Sequence, residues 1–262
     1  LRKILFFPDA QVPYHNSLQV RALNRFMAEW QPTEVVIIGD FMDYPQPSQW
    51  SKATAAEFQG SVFADSEIGK RVLADMRVGY DGPIIFIEGN HDSRPRLYLS
   101  KYAPALAESK AFEVASLLDF DSFGITLAPD FYDFAPDWTA THGHLGITLS
   151  EVAGKTSLGA ANKLGKSVVM GHTHRLGKLA ETTGRNGYWT TRWGVEVGHV
   201  MDTRPGKVPA YLKGAFANWQ SGFAYAYVAG SHVQIHTVDM ADDGTFVFEG
   251  EVFDAYGKGV HV

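Results

Sequence analysis

Four short apolar runs punctuate the first two thirds of the chain: residues 4–7, 35–38, 84–87 and 168–170. They are continuous rather than alternating, as expected of strands covered on both faces. Between the first two, Val20, Leu23, Phe26, Met27 and Trp30 recur at helical spacing, with Ser17 as an opening cap and Pro32 as a stop. This is a βαβ unit, and it predicts a parallel sheet. Residues 41–51 read as a Pro-rich loop. Residues 53–76 read as mostly helical, carrying Phe58, Val62, Phe63, Ile68, Val72 and Leu73, and the turn Asp81-Gly82-Pro83 leads into the third strand. Residues 96–112 read as a helix broken at Pro104 and continued by 113–121; residues 124–137 read as short strands and turns, followed by a strand at 138–141. A helix capped by Ser150 and stopped by Gly165 spans 150–164.

From Lys178 onward strands dominate, at 188–192, 222–229, 233–238 and 245–253, with Asp243-Gly244 as a hairpin turn signal. Parallel pairing early, antiparallel pairing late and helices outside predict an α/β fold of two mixed sheets flanked by helices. No repeat or linker divides the chain, so residues 1–262 are expected to form a single domain.

Every buried run ends on polar chemistry. Asp9 and Gln11 follow the first run. Gly39-Asp40-Phe41-Met42-Asp43 follows the second, Gly89-Asn90-His91-Asp92 the third, and Gly171-His172-Thr173-His174 the fourth, while His142 follows the strand at 138–141. Open α/β sheets bind ligands just beyond the carboxyl ends of their strands, so these distant residues are expected to converge.

Composition narrows the chemistry. With no cysteine, any metal must be held by nitrogen and oxygen donors, which suit Mn, Mg, Zn or Fe. A net charge of −6 argues against a protein that coats long nucleic acid, though not against a nuclease that works with cations. No leader-like segment and no apolar run of the ~18–20 residues that a membrane helix needs is visible, so a cytoplasmic location with no membrane partner is expected.

Asp9, Gln11, Asp40, Asn90, His142, His172 and His174 supply enough hard oxygen and borderline nitrogen donors for two metals. A carboxylate can offer one oxygen to each ion, and Asp40 is the candidate bridge. His172 and His174 alternate across Thr173, so in an extended segment both face one way. Paired ions stabilise the attacking and leaving oxygens of an in-line displacement and acidify bound water, which is the chemistry of phosphoester hydrolysis. His91, next to Asn90, is placed to protonate a leaving alkoxide, with Asp43 available to orient its imidazole.

In this order the pieces resemble the calcineurin-like metallophosphoesterases: Asp-x-His, Gly-Asp-x-x-Asp, Gly-Asn-His-Asp/Glu, a lone His, then Gly-His-x-His. The likeness spans residues 9–174, and the set is specific although no member is so alone. It implies a four-layer αββα sandwich and two divalent ions, Mn foremost, with Mg, Zn, Fe, Ni and Co as alternatives. It also implies that Asp9, Gln11 and His174 hold one metal, that Asn90, His142 and His172 hold the other, that Asp40 bridges them, and that His91 with Asp43 forms the acid dyad. The implied nucleophile is a metal-bound hydroxide.

Two departures matter. Gln11 stands where the common pattern has His; its neutral oxygen tilts the first site toward Mn²⁺ or Mg²⁺, as in some nucleotide-pyrophosphate hydrolases of the family, unless the side chain faces solvent. Tyr44-Pro45 replaces the Arg-Gly of the Ser/Thr protein phosphatases, which disfavours a phosphoprotein substrate. The chain looks more like phage and bacterial members. The expected function is a metal-dependent phosphodiesterase on nucleotide-type or small phosphodiester substrates. The alternatives are a nuclease on DNA or RNA, and a catalytically degenerate metal- or nucleotide-binding module with Gln11 as its first lesion.

Arg94, Arg96 and His144 are candidate substrate contacts, because Arg clamps phosphate oxygens in a bidentate way. His144 is also an alternative to His142 as the lone ligand. Tyr44, Trp50, Phe58 and Trp193 are aromatics able to stack on a base. His15, His199, His232, His236 and His261 are assigned structural roles, with His199 the least secure of these because it lies near the expected site.

Overall fold

The computed structural model describes residues 1–49, 51–204 and 217–257. Strand β1 (Arg2–Phe7) leads through a loop to helix α1 (Ser17–Trp30), strand β2 (Glu34–Ile37), helices α2 (Ala55–Phe58) and α3 (Val62–Arg77), and strand β3 (Ile84–Phe86). Helix α4 (Arg94–Tyr102), two 3₁₀ turns, and short helices α5 (Val114–Leu117) and α6 (Phe120–Phe123) precede strand β4 (Ile125–Leu127). Then come β5 (Phe131–Ala135), β6 (Trp138–Thr141), α7 (Lys155–Leu164), β7 (Ser167–Met170), β8 (Leu176–Arg185), β9 (Tyr188–Val197), β10 (Gly222–Ala229), β11 (His232–Asp239), β12 (Phe246–Phe248) and β13 (Glu251–Phe253).

One sheet has the order β11-β10-β1-β2-β3-β4 and the other β5-β6-β7-β9-β8. In the first, β1 to β4 are parallel neighbours, and β10 joins β1 antiparallel. In the second, β6, β7 and β9 are parallel, flanked by antiparallel β5 and β8.

The alternation of strand side chains explains the layering. From β1, Leu5 and Phe7 join Leu23, Phe26 and Met27 of α1 and Val72, Leu73 and Met76 of α3, while Ile4 and Phe6 enter the core between the sheets with Val36, Val169 and Val195. From β7, Val168 and Met170 turn the other way, onto Ala160 and Ala161 of α7. Helices, sheet, sheet and helix therefore form the expected αββα stack. Among the described residues no helix is long and apolar enough to cross a membrane.

Local boundaries differ from the sequence reading for identifiable reasons. The cap of α1 is Asn16, whose Oδ1 accepts from the N–H groups of Leu18 and Gln19 at 3.0 and 3.4 Å. Gly60, at φ +81°, lies between α2 and α3, so 53–76 is not one helix. Helix α4 starts two residues earlier than expected and ends before Pro104. Helix α7 begins at Lys155, not Ser150, because its first amides are taken by a carboxylate from another element: Glu196 Oε1 accepts from Thr156 and Ser157 N–H at 3.0 and 3.3 Å. Strand β8 is mostly exposed and has no buried face to advertise it; it pairs along its whole length with β9 across an Asn186-Gly187 turn at φ 54° and 86°. Asp243-Gly244 does form a turn, but the hairpin it was expected to make lies further on. Residues 245–253 split into β12 and β13, paired across Glu249-Gly250, at φ 49° and 83°.

Candidate metal centre

The loops after β1, β2, β3, β6 and β7 meet at one seam between the sheets, locked by hydrogen bonds from backbone to carboxylate. Asp40 Oδ1 accepts from His91 N–H at 2.8 Å, and Asp9 Oδ2 accepts from His172 N–H at 2.9 Å. Asp92 ties the turns after β2 and β3 together a second time, taking Met42 N–H at 2.8 Å and Gly89 N–H at 2.9 Å. Burial and the Asp40 charge raise its pKa above the ordinary carboxylate range. Glycine is required at position 89, where a Cβ would come within 2.2 Å of the Asp40 amide nitrogen and of its Oδ1. Gln11, Asp40, His172 and His174 all have left-handed φ, at 55°, 48°, 67° and 56°. Such conformations cost a non-glycine residue energy and cluster at functional sites.

Two groups of donors result. Asp9, Asp40 and His174 bring one ligand atom each within 4.8 Å of one another, and so do Asp40, His142 and His172. Asp40 belongs to both. Gln11 is fully buried, which removes the solvent-facing alternative. Its amide lies against the first group, with Nε2 3.2 Å from Asp40 Oδ2 and 3.4 Å from His174 Nε2. Asn90 lies against the second, its Oδ1 3.1 Å from His142 Nε2. His142 Nδ1 is 3.0 Å from the Ile38 carbonyl, a bond that places a proton on Nδ1 and turns Nε2, 3.2 Å from Asp40 Oδ2, toward the donor group.

The residues fit divalent cations. Asp9 Oδ1, Gln11 Oε1 and His174 Nδ1 are buried with no hydrogen-bond partner, an unfavourable condition for polar atoms unless something else satisfies them. Burial alone would push Asp40 up, but the charges of His142 and His91 and the hydrogen bond to His142 hold it well below the usual carboxylate range. Burial likewise works to lower His142, and the carboxylates, Asp40 first, lift it instead to about 9. A cage that draws a proton onto an imidazole draws a cation in its place. Burial and the His142 charge push His172 down to about 4, which leaves it a neutral donor.

Beside this cluster, His91 Nδ1 is 2.7 Å from Asp43 Oδ1, and its Nε2 is 3.7 Å from Asp40 Oδ2. Burial and Arg94 oppose protonation of His91, but Asp40 and Asp43 outweigh them and its pKa is raised. Arg94 reaches in from α4: Nη1 donates to the Asp43 carbonyl at 2.7 Å, and Nη2 lies 3.0 Å from His91 Nε2. Arg96 is engaged by Glu88 at 2.6 Å, behind the Gly89 turn. His144 lies outside both donor groups, its ring centroid 5.3 Å from that of His142 and 6.4 Å from that of His172.

The candidate base-stacking aromatics do not gather here. Tyr44 is fully buried, with its hydroxyl 2.8 Å from Ser66 Oγ, and Trp193 packs under Lys178, whose Nζ is 4.3 Å from the ring centroid. Phe58 is 81% exposed, and Trp50 lies outside the described residues, as does His261. His236 stacks on Tyr225 in the first sheet.

Two residues near the centre, Asp92 and Glu196, were not given roles from the sequence, and a third, His199, was assigned a structural one. Asp92 carried a signal, as the last letter of Gly-Asn-His-Asp. Glu196 is a charged residue inside a buried strand; besides capping α7 it accepts from Thr173 Oγ1 at 3.0 Å, tying that helix to the loop carrying His172 and His174. His199 sits behind His174, ring centroids 5.4 Å apart, with Trp219 4.4 Å from His174 on another side. Burial first and the His174 charge second push His199 down to about 3, and its Nδ1 accepts from Met201 N–H, so it is a neutral supporting ring.

Two mixed sheets that deliver Asp, Asn and His from their strand ends into one buried cluster form a scaffold suited to holding divalent cations against a phosphoester. The chain belongs to the calcineurin-like phosphoesterases, whose family pattern it matches over residues 2–176. It is 44% identical over 256 residues to the Gene 54 protein of Mycobacterium phage D29, covering 97% of this chain and 99% of that one. The Gene 54 protein of Mycobacterium phage L5 is 43% identical over the same length and coverage. Among solved structures, Chaetomium thermophilum Vps29 is similar at 12% identity and a TM-score of 0.46, with 92% of this chain and 90% of that one covered. Vacuolar Protein Sorting 29 from Cryptosporidium parvum is similar at 15% identity and a TM-score of 0.43, with 96% and 94% covered.

Proposed function

We propose that this protein is a phosphodiesterase acting on nucleotide-type or small phosphodiesters with a pair of divalent cations, manganese foremost. The observation that carries this reading is the double membership of Asp40 in the two donor groups, with the His91–Asp43 pair at its edge. Asp9, Gln11, Asp40 and His174 would hold one cation, and Asp40, Asn90, His142 and His172 the other. Bound there, the cations supply Lewis-acid polarisation of the phosphoryl oxygens and a lowered pKa for water.

The chain's own residues do the rest. Asp43 fixes the ring of His91 through Nδ1, so that Nε2 points to the leaving oxygen and delivers a proton to it. Asp40 and Asp43 raise the His91 pKa, which favours the protonated ring that a general acid needs. Arg94, already beside Nε2, clamps a non-bridging phosphoryl oxygen on the leaving side. His144 stands at the far rim as a second substrate contact.

The test is hydrolysis of bis(4-nitrophenyl) phosphate in a Mn²⁺ titration, beside Asp40→Asn. Metal-stimulated turnover in the parent, lost in the variant, is expected. Absence of stimulated turnover in the parent would favour a binding module, and full turnover in Asp40→Asn would remove the shared carboxylate from the reaction.

A further inference from the structure

Next to the candidate centre, on the His91 side, lies a cleft of about 320 Å³. Asn90 and Arg94 form its inner end, segment 47–49 one wall, and helix α4 the other. The helix contributes Arg94, Leu97, Tyr98, Lys101 and Tyr102, at positions i, i+3, i+4, i+7 and i+8, which is a single helical face. Seven residues of helix put Arg94 and Lys101 roughly 10 Å apart along the axis. Between and beside these cations lie two aromatic rings, Tyr98 and Tyr102, with centroids 4.7 Å apart, and Tyr102 is 40% exposed. Lys52, outside the lining, places its Nζ 3.0 Å from the centroid of the Tyr102 ring. Among the described lining residues there are two cations and no carboxylate, in a chain whose net charge is −6.

We propose that this cleft binds the leaving side of the substrate, and that the leaving group is a nucleotide within a single strand of nucleic acid. The inference rests on the phosphodiesterase reading for the position of the scissile phosphate. Arg94 takes that phosphate at the inner end, a base packs on the tyrosines, and the next phosphate reaches Lys101. Alternating cations and aromatic rings along a groove are how single strands are held without sequence preference. A phosphomonoester or a small alkyl diester would leave Tyr98, Lys101 and Tyr102 without a partner. A phosphopeptide would offer one phosphate and no base.

The experiment measures binding apart from turnover. Fluorescence anisotropy of a labelled eight-residue oligothymidylate is followed on the full chain in chelator, at low and raised salt. Tyr102→Ala and Lys101→Glu are each expected to weaken binding about tenfold, and Lys101→Glu to flatten the salt dependence by about one phosphate contact. Lys163→Glu, on α7, serves as a charge control and is expected to bind as the parent does. Unaltered affinity in both cleft variants would overturn the proposal. So would an absence of oligonucleotide binding by the parent, or a phosphoserine peptide that binds more tightly than the oligonucleotide. Metal-stimulated hydrolysis of the chromogenic diester is scored separately. Turnover without oligonucleotide binding removes the cleft alone, and cleft-dependent binding without turnover removes the hydrolase reading while leaving the cleft as a binding site.

Discussion

At Gly89 a methyl group would meet the Asp40 amide nitrogen and Oδ1 at 2.2 Å each, and neither can retreat, because both belong to the fixed turn after β2. Gly89→Ala is therefore expected to lower stability by about 1–3 kcal/mol and to remove Mn²⁺-stimulated turnover as well. Thermal melting and the diester assay read the two effects, and a variant with parental values in both would contradict the packing described. His91 invites a different measurement, since a proton donor matters most when the leaving oxygen is basic. His91→Ala should reduce kcat by about 10²–10⁴ on a nucleotide diester with an alkoxide leaving group, and by much less on the nitrophenyl diester. Equal losses on both would give His91 a binding role instead. These residues were legible from the sequence because each sits in a short motif directly after an apolar run. Glu196 was not, since its work is to cap a helix across elements remote in sequence; His199 was read as structural, but the ring it backs was not visible, because His174 lies on a remote element.

Among the elements, α1 shows how the first sheet is held. Phe26 meets Trp30, Phe223, Phe246, Phe248 and Phe253, with ring centroids 4.7 to 5.5 Å apart. Those partners come from α1 itself, β10, β12 and β13, so one ring welds the start of the chain to its end. Phe26→Ala is expected to cost about 3–5 kcal/mol, seen as a lowered midpoint in urea; a loss below 1 kcal/mol would mean that the C-terminal hairpin does not depend on α1. The helical spacing of Phe26 was plain in the sequence, but the β12–β13 hairpin was not, because the apolar residues on both sides of Glu249-Gly250 read as one strand over 245–253. Strand β8 escaped for the opposite reason: its residues are polar and exposed, and the Asn186-Gly187 turn was its only marker.

For the molecule as a whole, the change from parallel to antiparallel pairing along the chain announced two mixed sheets with helices outside. Strand order within the second sheet, where β9 lies between β7 and β8, is set by tertiary packing and left no local trace. What the sandwich accomplishes is convergence. Asp9, Asp40 and Asn90 come from one sheet, His142, His172 and His174 from the other, and Asp40 is the side chain common to both donor groups. Spin-resonance titration of the metal-free protein with Mn²⁺ tests that arrangement most directly. Two ions per chain with a magnetically coupled spectrum, collapsing to an uncoupled signal in Asp40→Asn, is the predicted result. A parent protein that saturates at one ion per chain with an isolated-ion spectrum would contradict it.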